Sequence, residues 1–118
     1  MIATGTISTV IENTVATVTF SNPASNSFPS LLLQQLTEEL HLLSENNTVT
    51  LIILKSEGTS TFCAGASFEE LLALETESDG TKFFSGFANV INAMRTGSKL
   101  ILGRVQGKAV GGGVGLAA

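Results

Sequence analysis

The chain has 118 residues, 43% of them hydrophobic, with six Lys+Arg against ten Asp+Glu and a formal net charge of −4. That length holds one modest domain or part of a larger one, and the apolar share excludes disorder as the main state. An acidic balance without a basic stretch excludes a nucleic-acid scaffold, which needs a positive face to neutralise phosphates.

Ile7–Ile11 and Thr14–Phe20 read as two strands of a hairpin turning at Glu12-Asn13. Ala16, Val18 and Phe20 alternate with threonines, the period of two that buries one face. Ser21–Pro29 carries Asn22-Pro23 and Pro29 and reads as a loop. Ser30 suits an N-cap for a helix from Leu31 to about Ser44, with Leu32, Leu33, Leu36, Leu40 and Leu43 at helical spacing. Leu51–Lys55 reads as a strand buried on both faces, as in a parallel or mixed sheet between helices.

Glu57–Ala66 reads as a loop. Ser67-Phe68-Glu69-Glu70 fits a capping box, so a helix is predicted to begin at Phe68. Thr76–Gly80 is polar and acidic and reads as an exposed break. Phe83, Phe84, Phe87, Val90, Ile91 and Met94 then recur at helical spacing, with Gly97 at a C′ position. Leu100–Val105 is a further strand, Gln106–Gly113 a glycine-rich loop, and Val114–Ala118 the first turn of another helix. The text stops within an apolar stretch, so the expectation is the front portion of a longer domain. Neither Leu51–Leu54 nor Val110–Ala118 reaches the ~20 residues needed to cross a bilayer, and no signal-peptide pattern opens the chain. The expectation is a soluble cytoplasmic protein without a membrane partner.

One cysteine and one histidine leave no internal disulfide, no paired-cysteine zinc site and no histidine-based constellation other than one around His41. Chemistry is therefore sought in two small-residue loops that follow strands and precede helices. Phe62-Cys63-Ala64-Gly65-Ala66-Ser67 lets a ligand approach the backbone, and the amides entering the next helix have no intrahelical acceptor. Taken alone, the loop reads first as a tight turn that needs glycine before a capped helix. In Gly107–Gly115 three consecutive glycines cost about 0.5–1 kcal/mol each relative to alanine in a regular element. Close helix packing or ligand-facing amides would justify them. No Gly-Lys-Ser/Thr follows, which disfavours a phosphate loop. Two such amides together could stabilise charge on a thioester or ester oxygen.

These loops resemble the two signatures of the crotonase, or enoyl-CoA hydratase/isomerase, family: Phe-x-Ala-Gly-Ala-Asp at Phe62–Ser67 and Gly-x-Ala-x-Gly-Gly-Gly at Gly107–Gly113. Asn22–Phe28 resembles the family's Pro-x-x-Asn-Ala-Leu region. The resemblance implies an α/β fold, a crotonase-like spiral of repeated ββα units, with residues 1–118 as the N-terminal portion of one such domain. It implies an enzyme acting on acyl-CoA thioesters, by hydration or double-bond isomerisation of an enoyl-CoA. The backbone N–H groups of Ala66 and Gly112 would form the oxyanion hole. The substrate-contacting set would be Ala24, Ser25, Ala64, Gly65, Ala66, Ser67, Phe68 and Gly112. No metal or redox cofactor is implied, coenzyme A being part of the substrate, and the assembly would be a homo-trimer or a dimer of trimers.

Two positions depart from the pattern. Ser67 replaces the family Asp and keeps a capping oxygen. Gly115 stands where the hydratases carry one of two catalytic Glu residues, which disfavours the two-carboxylate hydration mechanism and leaves room for a single-base isomerase, for a member using acid/base groups from elsewhere, or for an idle acyl-CoA binder or structural subunit. Glu69 or Glu70 could supply a base, and Lys55, Arg104 and Lys108 could meet coenzyme A phosphates. Cys63 reads as an apolar filler.

Overall fold

The computed structural model describes residues 4–118. Among these residues the elements run β1 (Thr6–Glu12), β2 (Val15–Ser21), α1 (Ser30–Glu45), β3 (Leu51–Ser56), β4 (Thr61–Cys63), α2 (Phe68–Leu72), α3 (Glu77–Thr96), β5 (Leu100–Arg104), β6 (Lys108–Ala109) and α4 (Gly112–Ala117). Among the described residues no helix is long and apolar enough to cross a membrane.

Four strands form one sheet in the order β1-β2-β3-β5, antiparallel between β1 and β2 and parallel thereafter. The predicted hairpin is present, with its turn one residue later. Asn13 takes the positive φ of 57° that the tight turn requires and that Asn tolerates. Register then decides the core. Ala16 lies beside Ile52 and Val18 beside Leu54, so one sheet face becomes continuously apolar. Helices α1 and α3 cover that face through Leu32, Leu33, Leu36, Leu40 and Leu43 on one side and Val90 and Ala93 on the other. Phe20, Phe28 and Phe62 meet at its end, with ring centroids 4.7 and 5.3 Å apart.

Several expectations are corrected. β3 is not buried on both faces: Ile52, Leu54 and Ser56 are buried, while Leu51, Ile53 and Lys55 are half-exposed because the helices cover one side only. Ser30 is not an N-cap. Pro29 holds that position, and Ser30 is the first helical residue. Thr76–Gly80 is no break, since Thr76 and Asp79 form a reciprocal capping box that starts α3 at Glu77. Gly97 follows α3 at φ −68° and is not a left-handed C′ residue. α4 begins at Gly112, two residues before the predicted turn.

Both predicted loops contain a short strand. β4 and β6 pair in parallel as a second, two-stranded sheet, and an isolated parallel bridge joins Phe28 to Ala66 beside it. The chain thus repeats one plan, in which a strand of the large sheet is followed by a strand of the small sheet and then a helix. β3-β4-α2 and β5-β6-α4 follow it fully. The parallel pairing of β4 with β6 brings the loops after them to the same end of the small sheet.

Candidate functional site: two small-residue loops at one edge

The first loop, Ala64–Ser67, leaves β4 and enters α2. Gly65 has φ +92°, a conformation side chains rarely adopt, and its neighbours leave no space for one. A Cβ there would lie 2.9 Å from the Val110 carbonyl oxygen and 3.3 Å from the Gly112 nitrogen. The second loop, Val110–Gly113, is therefore pressed against the first. A Cβ on Gly113 would lie 2.4 Å from the Cys63 carbonyl oxygen, and one on Gly112 2.8 Å from the Phe87 ring. Close approach to α3 and β4 explains Gly112 and Gly113, whereas Gly111 has open space around it and a φ of +57°.

Hydrogen bonds fix the direction of the amides. Phe28 donates its N–H to the Gly65 carbonyl at 2.8 Å and accepts the Ser67 N–H at 2.9 Å. Ala66, bracketed between them, has no hydrogen-bond partner for its N–H among the described residues. The Gly112 N–H, at the first position of α4, has none either, whereas Gly113 and Val114 close the turn onto Val110 and Gly111. Two unpaired backbone donors thus belong to adjoining loops.

A hollow of 410 Å³ opens beside the first loop. Ala24, Ser25, Ala64, Ala66, Ser67 and Phe68 line it, as do Ser27 and Glu69. Of the eight predicted substrate-contacting residues, Gly65 and Gly112 are not on its wall. Gly65 is buried in the junction between the loops, and Gly112 borders it. The wall on the Ala24 side is held by Asn26, a buried residue at φ 56° whose role sequence reading missed. Its amide donates to the carbonyls of Glu57 and Thr61 at 2.9 and 2.8 Å, and its Oδ1 accepts the Asn22 N–H at 3.0 Å. The available signal was the Asn of the Pro-x-x-Asn-Ala-Leu resemblance, which falls on Asn26.

The charged candidates fall elsewhere. Glu70 is not a free base, because its carboxylate accepts the Ser30 N–H at 2.7 Å and the Ser30 hydroxyl. The Ser67 capping box is therefore one-sided: Ser67 Oγ accepts the Glu70 N–H at 3.3 Å without the return bond. Lys55 and Arg104 face each other across β3 and β5, Lys108 lies on β6, and none of the three lines the hollow. His41 is exposed on α1. Cys63 is fully buried, and that burial pushes its thiol up to about 11, partly offset by the Gly65 N–H on its sulfur at 3.4 Å. It is a packing residue. Among the described residues no three His, Cys, Asp or Glu gather as a metal site.

Gly115 lies on α4, where a Cβ would come within 3.2 Å of Ile91 Cδ1. It borders a second hollow, of 460 Å³, with apolar walls from Leu54, Ile91, Met94, Ile101 and Leu116.

Known proteins match this arrangement. A Bacillus subtilis protein named "Probable enoyl-CoA hydratase" is 30% identical over 111 residues, 94% of this chain and 43% of its own length. The mouse "Methylglutaconyl-CoA hydratase, mitochondrial" is 32% identical over 92 residues, 78% of this chain and 29% of its own. The crystal structure of an enoyl-CoA hydratase from Bacillus anthracis superposes with a TM-score of 0.86 over 94% of this chain and 43% of that one. At 24% identity it speaks for the fold alone. The chain therefore spans less than half the length of these relatives. The sequence profile described as "Enoyl-CoA hydratase/isomerase" covers residues 10–118, both loops included. With the ββα repeat in place as well, this chain belongs to the enoyl-CoA hydratase/isomerase family and carries part of the crotonase fold.

Proposed function

We propose that this chain supplies the thioester-binding part of an enzyme acting on enoyl-CoA, with the Ala66 and Gly112 N–H groups donating to the thioester oxygen. One observation carries the reading: two N–H groups without partners belong to loops in direct contact, at Gly65 against Gly112. Fixed backbone donors require no reorganisation as charge develops, and losing one typically costs about 3–4 kcal/mol of transition-state stabilisation. The hollow lined by Ala24, Ser25, Ala64, Ala66, Ser67 and Phe68 would receive the coenzyme A portion next to that oxygen. The proposal includes no cofactor beyond coenzyme A within the substrate, a homo-trimer or dimer of trimers, and a cytoplasmic location.

In an isomerisation, a base removes a proton from the α-carbon and the electron pair passes to the thioester oxygen as an enolate. The double bond shifts and a proton returns at the γ-carbon. Hydration adds a water oxygen to the β-carbon and a proton to the α-carbon. Both pass through oxygen charge that paired donors stabilise. Gly115 has no side chain to transfer a proton, which favours the single-base route over the two-carboxylate one. The same residue supports a second reading, a family member that binds acyl-CoA without turnover.

Crotonyl-CoA and a 3-enoyl-CoA separate these in one spectrophotometric assay, since tight binding with no turnover of either selects the idle binder. Gly112→Pro tests the donor itself. Proline suits the first helical position but lacks the N–H, and adds bulk against Phe87. Gly112→Ala adds the same first carbon while keeping the donor. Turnover about a hundredfold lower in the proline variant than in the alanine variant is expected; equal turnover would remove Gly112 from the reaction.

A further inference from the structure

Helix α2 carries the end of the Ala66 loop, yet none of its five residues is buried, and Phe68 and Leu72 are 69% and 73% exposed. So short a helix has no stability of its own. Without an apolar anchor, its placement depends on polar contacts to something rigid. That anchor is the start of α1, a 16-residue helix with five buried leucines. Phe28 holds Gly65 and Ser67, on either side of Ala66. Two residues on, the Glu70 carboxylate takes both the N–H and the hydroxyl of Ser30. No acidic side chain occupies the first turn of α1 and Pro29 offers no side-chain cap, so Glu70 supplies the negative charge that this helix terminus favours. The Glu70 N–H returns to Ser67 Oγ. Segment 28–30 and segment 65–70 are thereby laced together on either side of the Ala66 amide, which has no partner among the described residues.

We propose that Glu70 is a positioning residue for the acyl-CoA reaction: by clamping α2 to the start of α1, its carboxylate sets the direction of the Ala66 N–H. The inference rests on the reading of Ala66 as a thioester-oxygen donor. In this role Glu70 acts as a clamp, with one carboxylate oxygen on the Ser30 N–H and the other on its hydroxyl.

The test compares wild type, Glu70→Ala and Glu70→Gln in the full chain. It measures kcat and KM on crotonyl-CoA and a 3-enoyl-CoA, melting temperature, and the carbonyl stretch of bound cinnamoyl-CoA by difference Raman spectroscopy. Donors on the oxygen move that band to lower frequency, whether or not turnover occurs. Glu70→Ala is expected to weaken the band shift and lower kcat about ten- to hundredfold, as displacement of a positioned group does. KM should change by less than about threefold, because the contact matters mainly in the transition state. Glu70→Gln keeps an acceptor for Ser30 and should recover most of both signals. An unchanged band and kcat with only a lower melting temperature would make Glu70 a plain brace and overturn the proposal. A glutamine variant as inactive as the alanine one, with one limb of the pH–rate profile gone, would make it a proton carrier and overturn it equally. Absence of any carbonyl shift in wild type would instead break the thioester-oxygen reading, and this proposal with it.

Discussion

The Gly112 amide nitrogen sits 3.3 Å from the point where a side chain on Gly65 would begin, and the Val110 carbonyl oxygen sits 2.9 Å from the same point. Neither atom belongs to a flexible side chain, so a methyl group there must push the two loops apart. Gly65→Ala carries a second penalty from its φ of +92°, in the range of about 1–3 kcal/mol for a residue held in a sparsely populated conformation. Gly58 separates the two effects, having φ +85° and nothing within 4 Å of its would-be side chain. Gly58→Ala should lose stability alone. Gly65→Ala should lose more stability, and turnover by about tenfold or more, because the two loops carrying the proposed donors are pushed apart. Chemical denaturation and steady-state rates on the two variants decide it; matching losses in both would show that the contact between the loops is immaterial to the chemistry.

How far the sequence reveals this site depends on how local each interaction is. The leucines of α1 and the phenylalanines of α3 mark their helices because the helical period is written along one element. The glycines of both loops stand out because their entropic cost calls for a reason; for Gly65, Gly112 and Gly113 the reason is contact with the opposite loop, Phe87 and Cys63, and for Gly111 a positive φ. β4 and β6, at three and two residues, are too short to show a period; they exist through pairing with each other. Ser30 reads as a cap because a serine before a leucine run usually is one. Its true partner, Glu70, lies 40 residues away. The capping pattern at Ser67 half-failed for the same reason, since the glutamate that should reach back reaches across to α1. The bracing role of Asn26 is not legible in sequence, because the two carbonyls it holds, of Glu57 and Thr61, lie 31 and 35 residues further along the chain.

Electrostatics at the hollow points to a change that should improve binding. Glu69 is the one charged residue on its wall and is exposed to solvent. Coenzyme A carries several phosphate charges, so this carboxylate repels the ligand proposed to occupy the hollow. Glu69→Lys reverses the sign at one position without touching the packed core. Exposed charge pairs are modest, and the expected gain is about two- to tenfold in affinity for acetyl-CoA at low ionic strength. The gain should shrink as salt rises, since the screening length is about 8 Å at physiological ionic strength. Calorimetric titration at low and high salt measures both. Affinity that stays level or falls in the lysine variant would mean the polyanion binds away from this wall.

Cys63 gives the last prediction, and its sign follows from burial. In the fold the thiol is fully enclosed beneath both loops and loses its proton only at about 11, against an ordinary 9.0. Desolvation of the thiolate is the larger cause, and the Gly65 N–H on the sulfur works against it. Below pH 9.0 the thiol is protonated in both folded and unfolded chains and contributes no pH dependence. As pH rises past that point the unfolded chain releases the proton first, so it binds fewer protons and unfolding becomes easier. The loss is complete once the folded thiol also ionises, near 11, with a ceiling of about 3 kcal/mol. The measurement is a difference, so that every group other than the thiol cancels: urea denaturation of wild type and Cys63→Ala from about pH 8 to about pH 11. The alanine variant should start about 1 kcal/mol less stable from lost packing. Its curve should then fall more shallowly than that of wild type, so that the gap closes or inverts at the alkaline end. Parallel curves across the window would mean that the thiol ionises as freely inside the fold as outside it.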